Sequence, residues 1–446
     1  MNLKPFILRT KYWLNDFIKG GIMFRCYKDA YGITMNKISE DEICKKREKD
    51  LYNILHYACD NIEYYKMKNI YSKNLSDFPV VNKNIYTENY DLFCAPIEKI
   101  PGQEGNLHIQ STSGSTGIPF SVPQDTLCRL KRIAIIKAEN EKINFHSFEP
   151  MMHLRYLKSH GSNIDFKHSK DLNIWYVDNS NLSEEKILKI IDTINKNRIK
   201  VVRGYMTSLD FITHYMVNNN IKFNHKVIFI SVGELLQENL RIRICQDLHC
   251  YIISQYGNEE NGIFGQSEIN GCGNIINLNG AGCIVEILKM DKDEPADKGE
   301  IGRIVVTDLT NYAFPMIRYE IGDVAAPCDY YKNGDIKKIS NLLGRKSDII
   351  YDTKGTPVDL INRIPMVLYN SQVINQHQFI QKDKNKYLLK LCVKKEIDKI
   401  LENEIIDEFI NILGSDAILS IEYVNSLPIL SSGKRKVIVN EWKKFS

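Results

Sequence analysis

The sequence predicts an α/β protein with a large N-terminal domain of mixed or parallel sheets and helical crossovers, followed by a small α+β domain on a hinge. Between residues 182 and 257, helical and strand-like segments alternate, which indicates a parallel sheet with helical crossovers. After residue 270, short runs alternate apolar and polar residues, as antiparallel strands do. The length of 446 residues suits two or three domains, at about 150 residues each.

The segment 182–257 carries the clearest pattern. "NLSEEKILKIIDTINKNRI" is predicted to be helical, because it starts with a capping residue and acidic residues. The strands "KVVRGY", "KVIFISVGE" and "CYIISQYG" follow, separated by the helices "TSLDFITHYMVNNN" and "QENLRIRICQDL". Ligands of open α/β sheets bind at the carboxyl ends of the strands. The polar, glycine-containing strand ends at 203–208, 231–234 and 254–260 therefore predict a nucleotide site.

The flanking regions complete the predicted organisation. Residues 38–66 and the stretch "DTLCRLKRIAIIKAENEKI" are predicted helices, because charged and apolar residues recur at helical spacing. The stretch "NLLGRKSDIIYDTKGTPV" predicts a polar turn between strands, and strand and helix patterns alternate again after it. We therefore expect an N-terminal domain at 1–344 and a mobile C-terminal domain at 345–446.

Composition excludes several classes of protein. A net charge of +4 is too small to predict a nucleic-acid partner. Eleven irregularly spaced cysteines and the lack of a secretory signal predict a cytoplasmic protein with free thiols. The sequence contains no run of eighteen or more apolar residues, so no membrane-spanning helix is predicted.

The N-terminal segment has an amphipathic pattern. Its apolar positions are Leu3, Ile7, Leu14 and Phe17, and its basic positions are Lys4, Arg9, Lys11 and Lys19. Such a stripe indicates either peripheral association with a membrane or a helix packed on its own domain. We expect the packed helix, because most apolar stripes face a core.

The stretch "STSGSTG" at 111–117 is a candidate phosphate loop. Its hydroxyls can donate hydrogen bonds, and its glycines allow the backbone N–H groups to face an anion. It lacks the Gly-Lys-Ser/Thr ending of a Walker A loop. A flexible linker has the same composition, so the loop alone does not decide between the two.

Further segments favour the phosphate loop over the flexible linker, because the whole set resembles a known family. In order, the chain carries "STSGSTGIP", "SVGELL", "QYGNEENG", "FPMIRYEIGD", "LLGRKSD" and "LPILSSGKRK". This set resembles the acyl-adenylate-forming enzymes, the superfamily of acyl-CoA synthetases and peptide-synthetase adenylation domains. Within that group the chain is most similar to the phenylacetate–CoA ligase and CapK branch, which is linked to capsular polysaccharide synthesis. The resemblance runs from about residue 50 to about residue 440.

The resemblance implies ATP and Mg²⁺ as ligands and assigns roles to residues. The loop at 111–117 would grip the outer phosphates, Tyr256 would stack on the adenine, and Glu260 would hold the magnesium. Gly233 and Glu234 would flank the base. The implied nucleotide-binding residues are Ser111, Thr112, Ser113, Gly114, Ser115, Thr116, Gly117, Gly233, Glu234, Gln255, Tyr256, Gly257, Asn258, Asp323 and Arg345.

The resemblance also assigns the groups around the ribose and the reacting phosphate. Asp323 would accept hydrogen bonds from the ribose hydroxyls, and Arg345 would point at the same sugar. Lys434 would be the catalytic lysine at the α-phosphate, with Lys436 as a competing candidate in the same cluster. Arg318 either braces the phosphate loop or pairs with a nearby acid.

The implied reaction is AMP-forming activation of a carboxylic acid, followed by transfer of the acyl group. The acceptor is a sugar amine or carrier in polysaccharide assembly, or coenzyme A if the phenylacetate likeness is the closer one. The segment 153–160, Tyr205, Ser208 and the strand end at 255–264 would form the acid pocket, with His153, His160 and His168 as candidates.

The chain also departs from the family. Glu259 stands where many relatives have Ser or Thr, which leaves open a non-catalytic nucleotide-binding partner as an alternative. The stretch "GQSEINGCGNIINLNG" has no histidine, so we do not expect the Cys/His metal site of some phenylacetate-type relatives.

Overall fold

The structure is a computed structural model. It describes residues 3–71, 74–111, 120–157, 165–360, 363–365, 367–368, 371, 373–428 and 436–442. The predictions for Thr112, Ser113, Gly114, Ser115, Thr116, Gly117, His160 and Lys434 lie outside these residues.

The described helices are α1 Lys4–Ile18, α2 Ile22–Thr34, α3 Glu40–Asn61, α4 Glu63–Met67, α5 Lys83–Glu88, α6 Tyr90–Phe93, α7 Thr126–Glu141, α8 Glu184–Lys196, α9 Met206–Asn218, α10 Glu238–Ile242 and α11 Lys399–Leu413. Short 3₁₀ turns occur at Leu75–Asp77, Ile97–Lys99 and Lys346–Asp348, and one π turn at Arg243–Asp247.

The described strands are β1 Val81–Asn82, β2 His108–Ser111, β3 Ser121–Gln124, β4 Met151–Arg155, β5 Phe166–Ser169, β6 Ile174–Asp178, β7 Val201–Tyr205, β8 Ile228–Val232, β9 Tyr251–Asn258, β10 Gly262–Gln266, β11 Ile276–Leu278, β12 Cys283–Leu288, β13 Gly302–Asp308, β14 Tyr319–Tyr330, β15 Ile336–Arg345, β16 Ile350–Tyr351, β17 Pro357–Val358, β18 Ile374–Gln381, β19 Lys386–Val393, β20 Ile418–Tyr423 and β21 Ile438–Asn440.

A mixed sheet of thirteen described strands spans the larger part of the chain, in the order β12-β13-β14-β15-β11-β10-β9-β8-β7-β4-β6-β5, with β1 beside β14. Strands β9, β8, β7, β4 and β6 run parallel, whereas β12 to β15 run antiparallel. The predicted mixed α/β fold is confirmed, and both predicted strand patterns lie where the sequence placed them.

The parallel strands are held between two apolar layers. On one face, α8 and α9 bury residues such as Ile187, Ile190 and Leu209 against Val202 of β7. Each fully buried side chain of this size stabilises the fold by about 1.5–3 kcal/mol. Ser183 caps α8 by accepting a hydrogen bond from the Lys186 backbone N–H, as its sequence position predicted.

The C-terminal part forms a separate four-stranded sheet, β20-β19-β18-β21, with α11 packed on it. Phe379 of β18 and Phe409 of α11 stack with ring centroids 4.8 Å apart. The predicted turn over "NLLGRKSDIIYDTKGTPV" is only partly right, because residues up to Arg345 continue β15 and the remainder forms the β16–β17 hairpin. The division at residue 345 stays a prediction.

The N-terminal helices overturn one expectation. Leu3, Ile7, Leu14 and Phe17 do not face a core, because each side chain is between 58% and 78% exposed. The packing contacts of α1 are made by Tyr12, on the opposite face, and by Trp13, at the edge of the stripe, near α2 and α7. Tyr12 and Trp13 make the packing contacts, and the predicted stripe faces solvent.

Candidate active site

A cleft of about 1360 Å³ lies at the carboxyl ends of β4, β7, β8 and β9 and extends to the C-terminal sheet. This is the edge of the sheet where an open α/β fold places its ligands. Its lining includes the predicted residues Gly233, Glu234, Gln255, Tyr256, Gly257, Asn258, Glu260, Asp323 and Arg345. Segments that are far apart in sequence therefore meet in one cavity.

Asp323 is the centre of a network in this cleft. The Tyr256 hydroxyl donates to Asp323 Oδ2 at 2.9 Å, and Arg345 Nε lies 3.3 Å from Asp323 Oδ1. The antiparallel register sets Asp323 directly opposite Arg345. Burial, together with Asp323, holds the pKa of Tyr256 well above its ordinary value, so the phenol stays a donor. Each carboxylate oxygen keeps a lone pair, which leaves Asp323 able to accept from two ribose hydroxyls.

Glu260 lies on the same side of the cleft. Burial raises the pKa of its carboxyl, while the nearby charges of Arg345 and Lys83 lower it. The Tyr319 hydroxyl is hydrogen-bonded to Glu260, and burial together with this acid raises the pKa of Tyr319. A partly buried carboxylate of this kind can bind Mg²⁺, a hard cation that is usually held by one or two carboxylates plus phosphate oxygens.

The residues of the cleft fit magnesium in that mode. Among the residues that the structure describes, no group of three or more His, Cys, Asp or Glu side chains could hold a metal ion. Mg²⁺ would therefore be held by Glu260 together with phosphate oxygens of the substrate.

Arg132 of α7 positions the loop that carries Glu260. Its Nη2 donates to the Glu260 carbonyl oxygen and also pairs with Asp308 of β13 at 2.7 Å. Arg132 is nearly buried, and Asp308 is fully buried. Sequence reasoning missed this residue, because a contact between a helix and a strand 176 residues away has no local pattern.

Two glycines of the predicted set have structural reasons to be there. Gly233 has φ 69°, in the left-handed region that favours glycine. At Gly257, an added Cβ would lie 2.2 Å from the Gly262 carbonyl oxygen, so the β9–β10 pairing excludes any side chain. The neighbouring Glu234 carboxylate accepts from the Thr207 N–H at 2.8 Å and so caps the start of α9.

The base of the predicted phosphate loop is the β2–β3 hairpin. Ser111 Oγ lies 2.8 Å from Ser121 Oγ across this hairpin, and Ser111 does not line the cleft. Gln110 Nε2 donates to Glu259 Oε2 at 2.8 Å, which ties the hairpin to the loop of Glu260. Glu259, the departure from the family pattern, thus has a structural contact of its own.

The C-terminal part reaches the cleft through Lys436. Its Nζ lies 3.1 Å from both Asp348 carboxylate oxygens, and Lys436 lines the cavity together with Asp348 and Arg345. Gln378 Nε2 donates to the Lys436 carbonyl oxygen at 2.7 Å, which fixes the start of this segment on β18.

The predicted acid pocket is partly assembled. His153 and Tyr205 line the cleft, and so does Arg203, which sequence reasoning did not select. Burial, together with Arg203 and Arg155, lowers the pKa of His153 to about 3, so its imidazole is neutral. A charged residue inside the apolar strand "VVRGY" was the signal that could have indicated Arg203.

Other candidates lie elsewhere. Ser208 is buried and accepts from Asn179 Nδ2 at 3.0 Å, and the His168 ring stacks on Trp175 with centroids 3.9 Å apart. Arg318 pairs with Glu286 at 3.1 Å, which is the second of its two predicted roles.

In sequence and in fold, the chain is similar to AMP-forming ligases and to CapK. Residues 350–441 match the family described as the CapK C-terminal domain. The chain is 23% identical over 425 residues to protein CapK of Staphylococcus aureus, covering 90% of this chain and 89% of that protein. It is 23% identical over 395 residues to phenylacetate–coenzyme A ligase of Aromatoleum evansii, covering 82% and 84%.

Solved structures share the fold. The 2-hydroxyisobutyryl-CoA ligase in its postadenylation state, in complex with R3-HIB-AMP, matches with a TM-score of 0.66 at 13% identity over 89% of both chains. The same ligase in its thioesterification state, with 2-HIB-AMP and CoA, matches with a TM-score of 0.53 at 15% identity over 89% and 90%. The predicted resemblance to adenylate-forming ligases is confirmed.

No helix in the described ranges has the length and apolarity to cross a membrane.

Proposed function

We propose that this protein activates a carboxylic acid with ATP and passes the acyl group to an acceptor. The observation that carries the proposal is the convergence of Tyr256, Asp323, Arg345 and Glu260 on one cleft at the carboxyl edge of the sheet. A ribose-binding carboxylate beside a buried carboxylate of raised pKa is suited to a nucleotide with its metal ion.

In the first step, a carboxylate oxygen of the acid forms a bond to the α-phosphorus of ATP, and the bond to pyrophosphate breaks. Asp323 and Arg345 would hold the ribose, so that the α-phosphate faces the acid. Mg²⁺, when bound at Glu260, would neutralise phosphate charge. Lys434 is the proposed cation at the α-phosphate, with Lys436 as its rival, since charge accumulates there in the transition state.

In the second step, a nucleophile attacks the acyl carbon and AMP leaves. We propose that residues 345–446 rotate about the segment 345–348 between the two steps. This structure matches the postadenylation state of 2-hydroxyisobutyryl-CoA ligase better than its thioesterification state, so we assign it to the arrangement of the first step. The Lys436–Asp348 ion pair lies at this segment and would hold one arrangement.

The acceptor is proposed from the relatives. We favour a sugar amine or carrier in polysaccharide assembly, because residues 350–441 match the CapK C-terminal domain and CapK is matched over more of the chain. Coenzyme A is the alternative, supported by the phenylacetate–coenzyme A ligase relative.

The test is a pyrophosphate-release screen with ATP, Mg²⁺ and a panel of carboxylic acids. An active acid is then given coenzyme A or amino sugars, and AMP formation is measured. We expect Lys434→Ala to lose most pyrophosphate release, with Lys354→Ala as the charge-matched control outside the cleft. Full release by Lys434→Ala would reject its catalytic role, and no release with any acid would favour a non-catalytic nucleotide-binding protein.

A further inference from the structure

Arg203 is a charged residue with unmet hydrogen-bonding capacity inside the cleft. It follows the buried Val201 and Val202 on β7, and its Nε is buried without a hydrogen-bond partner. No carboxylate of the described residues pairs with it. A buried polar group without a partner costs about 1–3 kcal/mol, and more if it is charged. Folding alone gives no reason to keep this guanidinium.

The neighbours of Arg203 do not neutralise it. His153 stands opposite it on β4 and is neutral, and Ile230 stands opposite it on β8. Glu259 contributes a favourable charge but forms no ion pair with Arg203 in the described part of the chain, and its Oε2 accepts from Gln110. Arg155 lies two residues after His153, at the end of β4, and adds a second cation to the cleft wall.

The position of Arg203 defines what it can bind. It lies two residues before the end of β7, which places it roughly 7 Å deeper than the rim where the nucleotide residues meet. Ile133 and Ile136 of α7 also line the cleft, so the cavity offers an apolar wall together with a guanidinium. An acid seated with its reacting carboxylate at the rim would extend towards Arg203.

We propose that the acid substrate carries a second anionic group, a carboxylate or a phosphate, which Arg203 binds at the deep end of the pocket. This rests on the proposed function. A guanidinium binds both anions in a bidentate, planar geometry, and an anion there removes the cost of the unpaired charge.

The experiment combines turnover with ligand-dependent unfolding of the wild type and Arg203→Met. Dicarboxylates, phosphorylated carboxylates and monocarboxylates of similar size are the three arms. We expect wild-type pyrophosphate release and thermal stabilisation only with dianionic acids, and losses of tenfold or more in Arg203→Met. Without ligand, Arg203→Met should unfold at a higher temperature than the wild type. Arg243→Met leaves the Asp210 carboxylate without its ion-pair partner and should unfold at a lower temperature than the wild type.

The outcomes separate the two proposals. Turnover of monocarboxylates with no preference for dianions overturns the anion site and leaves the proposed function standing. Arg203-dependent stabilisation by dianions without any turnover supports the anion site and rejects the proposed function. Destabilisation of the ligand-free protein by Arg203→Met would assign Arg203 a structural role and overturn the proposal.

A second, independent observation concerns the N-terminal helices. Large apolar side chains of α1 and the start of α2 are exposed on one surface, which we name the N-terminal apolar face. Its members are Leu3, Phe6, Ile7, Leu14, Phe17, Ile18, Ile22 and Phe24. Those on α1 fall within an arc of about 120°, since successive residues turn by about 100°. Exposed patches of this kind mark interaction sites.

The charges beside this face are almost all basic. Between residues 3 and 28 there are six basic side chains and one acidic side chain, Asp16. The Asp16 carboxylate accepts from the backbone N–H groups of Met23 and Phe24, so it caps α2. The other side of α1 is fixed to the body of the protein, with Lys137 4.6 Å from the centre of the Tyr12 ring.

We infer that the N-terminal apolar face docks on the surface of a membrane that contains anionic lipids. A basic amphipathic helix lies in the interface with its apolar face among the acyl chains. A second copy of this chain fits less well, because pairing two such faces would bring like charges together.

The test is co-sedimentation with phosphatidylcholine vesicles, with and without phosphatidylglycerol, at low and high salt. We expect salt-sensitive binding to the anionic vesicles and at least a tenfold weaker partition for Phe17→Ser/Ile18→Ser. Ile400→Ser, at a side chain 80% exposed on α11, is the matched control and should bind like the wild type. Unchanged binding by the double variant, or a dimer in sedimentation that only the double variant abolishes, would overturn the inference.

Discussion

Replacing Asp323 with asparagine is the most direct perturbation of the proposed nucleotide site. The change keeps the shape of the side chain but removes the charge that faces Tyr256 and Arg345. Arg345 is about half exposed, 53% by its side chain, so it stays solvated and the loss of its ion pair should cost little stability. The expected effect is therefore on ligand affinity.

The size of the effect follows from the hydrogen bonds. A hydrogen bond to a charged group contributes about 1.5–3 kcal/mol. The asparagine retains one acceptor oxygen, so we expect the loss of about one such bond to the ribose. At 1.4 kcal/mol per factor of ten, the Kd for AMP should rise roughly 10- to 150-fold.

Calorimetric titration with AMP and with 2′-deoxy-AMP measures this loss without knowledge of the acid. The wild type should prefer AMP, and Asp323→Asn should lose most of that preference. The control for the charge change is Asp329→Asn on the same strand, β14, where among the described residues the Asp329 carboxylate accepts from the adjacent Tyr330 N–H. Wild-type affinity or an undiminished preference for AMP in Asp323→Asn would refute the ribose assignment.

Three other changes test the remaining parts. Glu260→Gln should weaken Mg²⁺-dependent ATP binding at least tenfold by titration. Because the pKa of the Glu260 carboxyl is raised in the folded protein, the wild type loses stability as the pH rises through that value. Glu260→Gln should therefore have a higher melting temperature than the wild type at neutral pH, and this difference should disappear in acid. Lys436→Met should slow pyrophosphate release more than acyl transfer, because the Asp348 pair is proposed to hold the arrangement of the first step, and equal slowing of both would contradict this. Arg318→Met should lower the free energy of unfolding by about 3–5 kcal/mol without changing AMP affinity, because the change leaves the Glu286 carboxylate without its ion-pair partner.

The sequence predicted the elements that depend on local patterns. The strands β7, β8 and β9 were recognisable because their β-branched runs alternate with capped helices, and their polar ends indicated the edge that carries the cleft. Glu260 and Asp323 came from an ordered set of motifs and not from any local pattern. Arg132 and Gln110 escaped prediction, because their roles depend on contacts that span more than a hundred residues.

The N-terminal stripe shows a different limit. Periodicity establishes that α1 has an apolar face, but it does not say which surface covers that face. Tyr12, on the opposite side of the same helix, and Trp13, at the edge of the stripe, pack against α2 and α7. Competition between two faces of one helix is decided by the shape of the neighbouring surface, which the sequence does not display.

The charged side chains of the protein interior fall into two groups, those that stabilise the fold through ion pairs and those that weaken it. Arg132 with Asp308 and Arg318 with Glu286 are paired, so removing one member should destabilise the fold. Arg203 has a buried N–H without a partner, and the Glu260 carboxyl is held in surroundings that raise its pKa, so ligand-free folding is weakened by their charges. A variant that gains stability while it loses ligand-dependent stabilisation marks a group retained for binding. Arg203→Met and Glu260→Gln should both behave in that way, the first at the acid end of the cleft and the second at its metal–phosphate end.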